Sequence, residues 1–468
     1  MKISFHGATR EVTGSCYLLE VGSVKILIDC GMYQGGGGLA EENLKPFGFK
    51  PRDINYLLLT HAHLDHCGRI PLLVSQGFRG EIITTSATRE LAKLVMLDSA
   101  RVHEEDAKRN RRHFKRSHKN KKKNKDYKLL YNTLDVLNSL DYFGCNAVYE
   151  KPIKLTKDIQ ATFFDAGHIL GSSSILLEIQ EKSQKKKILF SGDIGNNNKP
   201  IIRDPAPLPK ADIVVMETTY GDRSHKSIEQ SVNEFYLAIN DTFKRGGNVF
   251  IPTFALERAQ ELLYFIREGI EKRKIPGNTQ VFLDSPMAIS ATEIYKRHPE
   301  CYDEEFIRLL KTRTDPFYLP TLSYTRDVSE SIAINSIKSG AIVMAGSGMC
   351  TGGRICQHLK HNLWREECSV VFVSFAAGGT LARKIIDGAK TVYIYGEEID
   401  VRAKIYTING FSSHAGQDEL LYWHKNIGKP EATYLVHGGS EAMASMAGKL
   451  KAKGYKIKMP MLNEEFYI

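Results

Sequence analysis

The stretch THAHLDH, residues 60–66, decides the fold of this chain. It follows an apolar run, residues 54–59, that is typical of a buried strand, so its polar side chains leave the end of a rigid element. Three histidines and one aspartate at this spacing indicate a metal site, and the alternative is a polar loop with chance histidines. Neutral imidazoles together with a carboxylate favour zinc or another first-row divalent ion.

The overall composition sets broad limits on the class of protein. A chain of 468 residues is too long for one ordinary domain, and 42% hydrophobic with 25% charged residues is typical of a soluble globular protein. We find no apolar run long enough to span a membrane and no signal peptide. The eight cysteines are scattered without a C-x-x-C pair, which favours a reduced, cytoplasmic chain over a disulfide framework or a structural zinc finger.

Positive charge is concentrated in one tract. The formal net charge is +10, and residues 101–128 contain 13 Lys and Arg against four Asp and Glu, a net charge of +9. This tract predicts contact with a polyanion such as nucleic acid, with a solvated basic surface as the alternative. Phe114 and Tyr127 are its aromatic residues, so we expect it to contact the nucleic-acid backbone and not to read bases.

The pattern of residues 60–66 recurs, because further apolar, strand-like runs end in an acidic or imidazole side chain. Examples are residues 24–28, 161–165, 187–191, 213–217 and 432–436. The side chains that follow such runs are Asp29, His168, Asp193, Glu217, His414 and His437. We expect these strand ends to contribute to one shared site.

The order of elements predicts an α/β protein with one domain inserted into another. Residues 222–398 alternate helical and apolar strand patterns, which is the βαβ rhythm of a parallel sheet. Residues 1–221 and 399–468 are richer in strands and carry the polar strand ends, so we expect them to form one domain that is split in sequence. A site between the two domains would match where ligands commonly bind.

The set of candidate ligands is too large for a single structural zinc, which needs four. One ion could take His61, His63 and His168, and a second could take Asp65, His66 and His437. Asp193 could bridge them, because a carboxylate has two oxygens to share. Two such ions can hold a bridging hydroxide and stabilise the oxygens of a phosphoryl displacement. Asp29 is better explained as a residue that orients a ligand.

These residues resemble the motifs of the metallo-β-lactamase fold in its nucleic-acid-cutting branch, the β-CASP nucleases. The resemblance covers essentially the whole chain. The shared core motifs match at Asp29, His61-x-His63-x-Asp65-His66, His168 and Asp193. The motifs specific to the branch match at Glu217, at His414 in FSSHAG, at His437 in LVHG, at SPMA (residues 285–288) and at GSGMCTGGR (residues 346–354).

The resemblance implies a metallo-β-lactamase αββα sandwich with an inserted α/β domain, the β-CASP domain. It also implies two zinc ions with the ligand division described above, and RNA as the usual substrate, although some relatives cut DNA. Glu217 and His414 would form a hydrogen-bonded pair, with His414 near the scissile phosphate. A charged imidazole there could donate a proton to the leaving oxygen or neutralise phosphate charge.

A glycine-rich loop in the inserted domain is a candidate for phosphate binding. Residues 346–353 follow an apolar strand pattern, and their backbone N–H groups suit a phosphate. The side chains and backbone groups that we expect to contribute are those of Ser347, Gly348, Thr351 and Arg354. Arg383 could serve the same purpose or simply face solvent.

We therefore predict a zinc-dependent nuclease that acts on RNA, with Asp65, Glu217 and His414 as its catalytic residues. One alternative is a small-molecule hydrolase of the same fold that acts on a thioester or lactone. Another is a non-catalytic RNA-binding scaffold, although here every ligand position is filled. The sequence leaves open the choice between endonuclease and exonuclease action, and also the oligomeric state, for which a homodimer is one option.

Overall fold

A computed structural model describes most of the chain. The described residues are 1–35, 39–116, 129–181, 184–312, 315, 317–374 and 376–468, without the side chains of residues 40, 109–116 and 181. Residues 117–128 of the basic tract, together with the side chains of residues 109–116, lie outside this description, so the contact of the tract with nucleic acid stays a prediction. Among the described helices, none combines the length and the apolar composition that crossing a bilayer requires.

The strands of the described residues are short and occur along the whole chain. They are β1 (Lys2–Phe5), β2 (Tyr17–Val21), β3 (Val24–Ile28), β4 (Tyr56–Leu58), β5 (Glu81–Thr85), β6 (Phe143–Ala147), β7 (Ile153–Lys154), β8 (Ile159–Asp165), β9 (Ser173–Glu181), β10 (Gln184–Phe190), β11 (Ile213–Glu217), β12 (Val249–Pro252), β13 (Gln280–Leu283), β14 (Leu322–Tyr324), β15 (Ala341–Ala345), β16 (Ser369–Phe372), β17 (Thr391–Ile394), β18 (Glu397–Asp400), β19 (Lys404–Thr407), β20 (Ala432–Val436), β21 (Ile457–Lys458) and β22 (Glu465–Tyr467).

The helices range from a single turn to the long helix that enters the basic tract. They are α1 (Leu39–Glu42), α2 (Leu64–Cys67), α3 (Ile70–Ser75), α4 (Ser86–Arg116), α5 (Thr133–Ser139), α6 (Ile228–Lys244), α7 (Arg258–Glu271), α8 (Pro286–Tyr295), α9 (Glu304–Thr312), α10 (Val328–Ile334), α11 (Arg354–Asn362), α12 (Leu381–Ile386), α13 (Gln417–Ile427) and α14 (Ser440–Ala452).

The first of two compact units contains two facing sheets. It consists of Met1–Gly195, Pro205–Arg223 and Gly416–Ile468. One sheet has the strand order β22-β1-β2-β3-β4-β5-β6, and the other has the order β21-β20-β11-β10-β9-β8-β7. Each sheet is antiparallel at one side and parallel at the other.

Alternating apolar residues of both sheets bury one continuous core in this unit. Phe5 and Ile28 come from the first sheet, and Phe163, Leu177 and Val215 come from the second. Helix α4 packs against β5 and β6, while α14 packs against β20 and β21, so helices cover both sheets. The predicted αββα sandwich is confirmed, and the alternation of buried residues along the strands explains it.

Parallel pairing brings the carboxyl ends of several strands to one edge of the second sheet. Strands β10, β11 and β20 are parallel neighbours, and β8 runs in the same direction because β9 is antiparallel to both β8 and β10. The turns that follow these four strands therefore leave the sheet at the same edge. In the first sheet, β3 and β4 are also parallel, with Ile28 opposite Leu58.

The second unit is built on a parallel sheet. It consists of Asn196–Asp204 and Ser224–Ala415, and its sheet has the strand order β14-β13-β15-β12-β16-β19. Every pairing in this sheet is parallel. Phe250, Val343 and Val370 contribute to a buried core together with α11 residues such as Leu359. The βαβ rhythm of the sequence predicted this parallel sheet correctly.

Two strands differ from the expectation. The first domain was predicted to resume at residue 399 and to include the strand Lys404–Ile408. Instead, β19 pairs with β16 and extends the sheet of the second unit. The chain returns to the first unit at Gly416. Thr391–Tyr395 was predicted to join the parallel sheet, but β17 forms an antiparallel hairpin with β18. Both runs carry ordinary strand patterns, which do not define the sheet that a strand joins.

Candidate metal centre

Three imidazoles in the first unit converge on one oxygen of Asp193. The turn between β4 and α2 carries His61 and His63, and the turn after β8 carries His168. Nδ1 of His63 lies 3.2 Å from Nε2 of His61 and 3.1 Å from Nε2 of His168. Asp193 places Oδ2 at 3.3 Å from Nε2 of His61 and at 3.5 Å from Nε2 of His168.

A second group of donors surrounds the other oxygen of Asp193. Nε2 of His66, in α2, lies 3.2 Å from Nε2 of His437, which follows β20. Oδ1 of Asp193 lies 3.2 Å from Nε2 of His66 and 3.6 Å from Nε2 of His437. Oδ2 of Asp65 completes the group at 3.3 Å from Nε2 of His437.

The spacing of these donor atoms fits metal coordination. Four ligands at 2.0–2.1 Å from a tetrahedral zinc ion lie about 3.3–3.4 Å from one another. The separations within both groups, 3.1–3.6 Å, match this value. Imidazole nitrogens and carboxylate oxygens are also the donors that first-row divalent ions accept. The residues present therefore fit a metal cofactor.

Buried polar contacts fix the orientation of His66. Asp29 is 1% exposed, and its Oδ2 lies 2.7 Å from Nδ1 of His66, so the opposite ring nitrogen faces Asp193. The carboxylate of Asp29 also accepts hydrogen bonds from the backbone N–H and from the hydroxyl of Thr60, each at 2.8 Å. A carboxylate behind a ligating imidazole is typical of metal sites. Asp29 thus contacts the ring of His66, and its role as an orienting residue stays a prediction.

Threonine hydroxyls contact two of the other imidazoles on the side away from Asp193. Oγ1 of Thr219 lies 3.0 Å from Nδ1 of His437, and Oγ1 of Thr60 lies 3.0 Å from Nδ1 of His61. Neither threonine was singled out from the sequence as a residue that supports the site. The available signal was their position after apolar strand runs, within two residues of a histidine or an acidic residue.

Two of the site's side chains are carried by left-handed backbone. The φ angle is 59° at Asp29 and 48° at His437. This region costs a residue other than glycine roughly 1–2 kcal/mol, so the surrounding structure must compensate. The N–H of Asp29 donates to the carbonyl of Leu58 at 3.1 Å, and that of His437 donates to Ala8 at 2.8 Å. Backbone strain of this kind is concentrated at functional sites.

Burial and neighbouring charge act against each other in this cluster. Burial, with the nearby His66, lowers the pKa of His61 to about 3. Burial also opposes charge on His66, but the carboxylates of Asp193 and Asp29 outweigh it and raise the pKa of His66 well above 6.5. Burial opposes the ionised form of Asp193, yet the imidazoles of His437, His66 and His61 hold its pKa well below its usual range. A metal ion that binds His66 must therefore displace a proton.

Glu217 lies at the end of β11 and is fully buried in the first unit. Its Oε1 accepts a hydrogen bond from the N–H of Ile194 at 2.7 Å, and its Oε2 accepts one from the N–H of Thr219 at 3.1 Å. The carboxylate therefore contacts the backbone next to Asp193 and the threonine behind His437. His414 belongs to the second unit, so its pairing with Glu217 stays a prediction.

The glycine-rich loop of the second unit ends at an arginine that is already engaged. Nη1 of Arg354 donates to Oδ1 of Asp284 at 2.6 Å and to the carbonyl of Thr325 at 3.0 Å. Asp284 is fully buried and also accepts hydrogen bonds from Thr325, Ser331 and His358. Arg354 thus anchors the start of α11 to the sheet, and a contact with phosphate would come in addition to that role.

The other predicted phosphate contacts lie in more open surroundings. Oγ of Ser347 lies 3.2 Å from Oγ1 of Thr351 and accepts a hydrogen bond from the N–H of Thr351 at 3.0 Å. A Cβ at Gly348 would lie 2.9 Å from the ring of Phe254, so the loop packs closely on that ring. The exposed guanidinium of Arg383 pairs with Asp387 one helical turn later. Phosphate binding by these residues stays a prediction.

Protein-family models match the chain in succession. A model of the metallo-beta-lactamase superfamily matches residues 9–235, a Beta-Casp domain matches residues 259–385, and a Zn-dependent metallo-hydrolase RNA specificity domain matches residues 398–460. The last match begins in β18 of the second unit and continues through α13, β20 and α14. Together the three models cover both groups of donors around Asp193.

Curated relatives match over nearly the full length of the chain. Ribonuclease TTHA0252 of Thermus thermophilus is 37% identical over 99% of this chain and 99% of its own length. Transcription termination factor FttA of Methanosarcina mazei is 29% identical over 97% of this chain and 69% of its own length. An RNase J-like protein of Methanocaldococcus jannaschii is 28% identical over 93% of this chain and 92% of its own length.

A solved structure supports the fold alone. A protein of unknown function from Enterococcus faecalis V583 superimposes with a TM-score of 0.57, covering 100% of this chain and 99% of its own. The two sequences are 12% identical.

Proposed function

Since this chain belongs to the metallo-beta-lactamase superfamily and carries a Beta-Casp domain, we propose that it is a zinc-dependent ribonuclease that hydrolyses phosphodiester bonds in single-stranded RNA. Membership confirms the family that the sequence motifs indicated, and this family consists of metal-dependent hydrolases. The RNA specificity domain and the ribonuclease among the relatives support RNA as the substrate. All eight cysteines lie among the described residues and none of them forms a disulfide bond, which supports a cytoplasmic location.

The observation that carries the proposal is the division of Asp193 between two groups of donors. Oδ2 of Asp193 faces one group and Oδ1 faces the other. The first group is formed by His61, His63 and His168, and the second by Asp65, His66 and His437. A bridging carboxylate with separate donors on each side supports two zinc ions per chain. A single structural zinc would leave three of the seven donors unexplained.

The protein's own residues position the reactants and control protons. When bound, the divalent ions supply Lewis acidity, which activates water and stabilises negative charge on phosphate oxygens. Asp29, Thr60 and Thr219 hold the imidazoles behind the site, so the donors are oriented before substrate arrives. The carboxylates of Asp65 and Asp193 have lowered pKa values and remain ionised at neutral pH, as ligands must be.

The reaction that we propose is the hydrolysis of one phosphorus–oxygen bond. The oxygen of a water molecule attacks phosphorus, this water releases one proton to the solvent, and the bond from phosphorus to a ribose oxygen breaks. The leaving ribose oxygen must gain a proton. We assign this proton transfer to His414, with Glu217 as its partner, because a histidine side chain can exchange protons near neutral pH.

Metal analysis and RNA cleavage together test the proposal. We expect close to two zinc ions per chain by mass spectrometry and cleavage of single-stranded RNA labelled at the 5′ or 3′ end. The Asp193→Asn variant should lose bound metal and lower kcat at least 10³-fold, because one oxygen is replaced by an amide that cannot ligate as an anion. Asp158→Asn, which changes an exposed carboxylate of the same unit, is the matched control.

The alternatives give different results in the same experiment. A small-molecule hydrolase would bind metal and cleave a thioester or lactone while leaving RNA intact. A non-catalytic RNA-binding scaffold would bind RNA with close to zero zinc ions per chain. Either outcome would overturn the proposal.

A further inference from the structure

The loop that carries His414 is held at three successive residues within the second unit. Nδ2 of Asn196 donates to the carbonyl of Ser412 at 2.9 Å, and Nη2 of Arg258 donates to Oγ of Ser413 at 3.2 Å. Nε2 of His225 lies 3.1 Å from the carbonyl oxygen of His414, to which it donates. Three side chains from separate parts of the unit thus define the path of this short loop.

Arg258 is a costly residue at its position because it is charged and buried. Its side chain is 5% exposed, and its partner Glu261, one turn later in α7, is 0% exposed. Nη1 of Arg258 pairs with Oε2 of Glu261, while Nη2 donates to Ser413. Its guanidinium also lies 5.9 Å from the centre of the Phe411 ring. A buried ion pair adds little net stability, which favours a role for Arg258 other than stabilising the fold.

The start of α7 is itself firmly anchored. Glu257, which precedes the helix, is buried and accepts a hydrogen bond from the hydroxyl of Tyr295 at 2.8 Å. Nζ of the buried Lys199 lies 3.5 Å from the same carboxylate. The backbone from which Arg258 projects is therefore fixed by groups on α8 and on the segment Asn196–Asp204. An anchored backbone and a paired guanidinium leave Arg258 little freedom of orientation.

We propose that Arg258 is a positioning residue for His414, with Glu261 setting the direction of its guanidinium. Through Ser413, Arg258 holds the loop so that the imidazole of His414 is presented in one orientation. This inference rests on the proposed function, which gives His414 its role in proton transfer. The planar guanidinium can serve Glu261 and Ser413 at once, whereas the ammonium of lysine lacks that fork geometry.

Two variants test the contact from its two ends. Arg258→Lys keeps the charge beside Glu261 but loses the fork, and Ser413→Ala removes the acceptor while the ion pair stays intact. We expect each to lower kcat for RNA roughly 10- to 100-fold, because a small misplacement of a catalytic group has effects of this size. KM should change less than threefold, and bound zinc should stay the same. Arg308→Lys and Ser290→Ala, which change exposed residues of the same unit, are the matched controls.

Combination with His414→Ala separates positioning from a general structural role. If Arg258 acts through His414, Arg258→Lys should change kcat less than twofold when His414 is already alanine. Equal losses in both backgrounds would show that Arg258 affects activity by another route and would overturn the inference. Ser413→Ala should show the same lack of additivity.

Histidine resonances provide a readout that does not depend on activity. In protein with ¹⁵N-labelled histidine, the imidazole signals of His414 are those that disappear in His414→Ala. We expect these signals to shift or broaden in Arg258→Lys and in Ser413→Ala, while those of the buried His424 stay in place. Unchanged His414 signals in both variants would overturn the inference.

The experiments give different results if the inference about Arg258 is wrong and if the proposed function is wrong. If His414→Ala lowers kcat at least 10²-fold but Arg258→Lys and Ser413→Ala behave like the wild-type protein, the inference is wrong and the proposed role of His414 stands. If His414→Ala keeps full activity, the proposed role of His414 is wrong. The His414 resonances then still decide whether Arg258 positions the loop.

Discussion

Asp29 is a buried carboxylate that contacts the donor cluster from behind. It contacts His66 and Thr60 on the far side from Asp193, so it selects the ring nitrogen that faces the donors. Asp29→Asn should lower metal affinity roughly 10- to 100-fold, the range typical of residues behind metal ligands. Competition with a chromophoric chelator measures this affinity. Asp53→Asn serves as the exposed control, and equal affinities in both variants would remove Asp29 from this role.

His424 provides a pH-dependent contribution to stability at a distance from the donors. Its ring is fully buried on α13, Nε2 lies 2.8 Å from Oγ1 of Thr433, and burial lowers its pKa to about 4. The unfolded chain, with a pKa near 6.5, takes up a proton that the folded chain excludes. Stability should therefore be constant above pH 6.5 and fall as pH decreases from 6.5 towards 4.

The expected loss between pH 7 and pH 5 is about 2 kcal/mol from this residue. His424→Gln should flatten the decline by that amount, whatever its effect on stability at pH 7. Fluorescence of the neighbouring Trp423 in a Trp364→Phe background reports denaturant unfolding of the first unit. Parallel declines in the wild-type protein and the variant would contradict the assignment.

At the scale of elements, the site depends on the contact between two turns. The turn after β8 carries His168 and the turn after β10 carries Asp193. A Cβ at Gly195 would lie 1.7 Å from the carbonyl oxygen of Gly167, while the N–H of Gly195 donates to Ala166 at 2.8 Å. No side chain fits between turns that approach so closely.

Gly195→Ala should push these turns apart and move Asp193 away from His168. We expect a lower melting temperature, loss of part of the bound metal and at least a 10²-fold lower kcat. Gly448→Ala is the matched control, because a Cβ on that position of α14 meets no atom within 4 Å and favours the helix. A full content of bound metal in Gly195→Ala would show that the turns tolerate separation.

Elements also show how far a sequence can predict a site. The donors of residues 60–66 were predictable because they are local, and His168, Asp193 and His437 were predictable because parallel strands end at one edge. Membership of β19 in the sheet of the second unit was not predictable, since an apolar strand pattern suits the sheets of either unit. Thr60 and Thr219 were missed because threonine is common in strands for reasons unrelated to function.

At the scale of the whole molecule, the charge distribution predicts how the protein meets its substrate. Most of the net charge of +10 comes from residues 101–128, which carry a net charge of +9. Each lysine that contacts a phosphate of single-stranded RNA should contribute about 0.7 to the slope of log affinity against log salt concentration. The substitution to glutamine that we propose covers Lys119, Lys121, Lys122, Lys123 and Lys125.

The neutralised protein should bind RNA more weakly and with a shallower salt dependence, as measured by fluorescence anisotropy. A control with the same change in charge replaces exposed lysines elsewhere in the first unit: Lys50, Lys151, Lys157, Lys451 and Lys453. If the five substitutions in the basic tract leave the slope of log affinity against log salt concentration unchanged, the tract is excluded from the RNA interface. Equal slopes in both substituted proteins would show that the salt dependence of RNA binding is determined by the overall charge and not by the tract.

Chain order determines when the donor set becomes complete during synthesis. His437 follows β20, which is made only after the whole of the second unit. A nascent chain on the ribosome lacks the imidazole that joins Asp65 and His66 until the second unit and β20 have been made. A copy of this nuclease that has not yet reached His437 therefore holds an incomplete set of donors while its messenger is still being read.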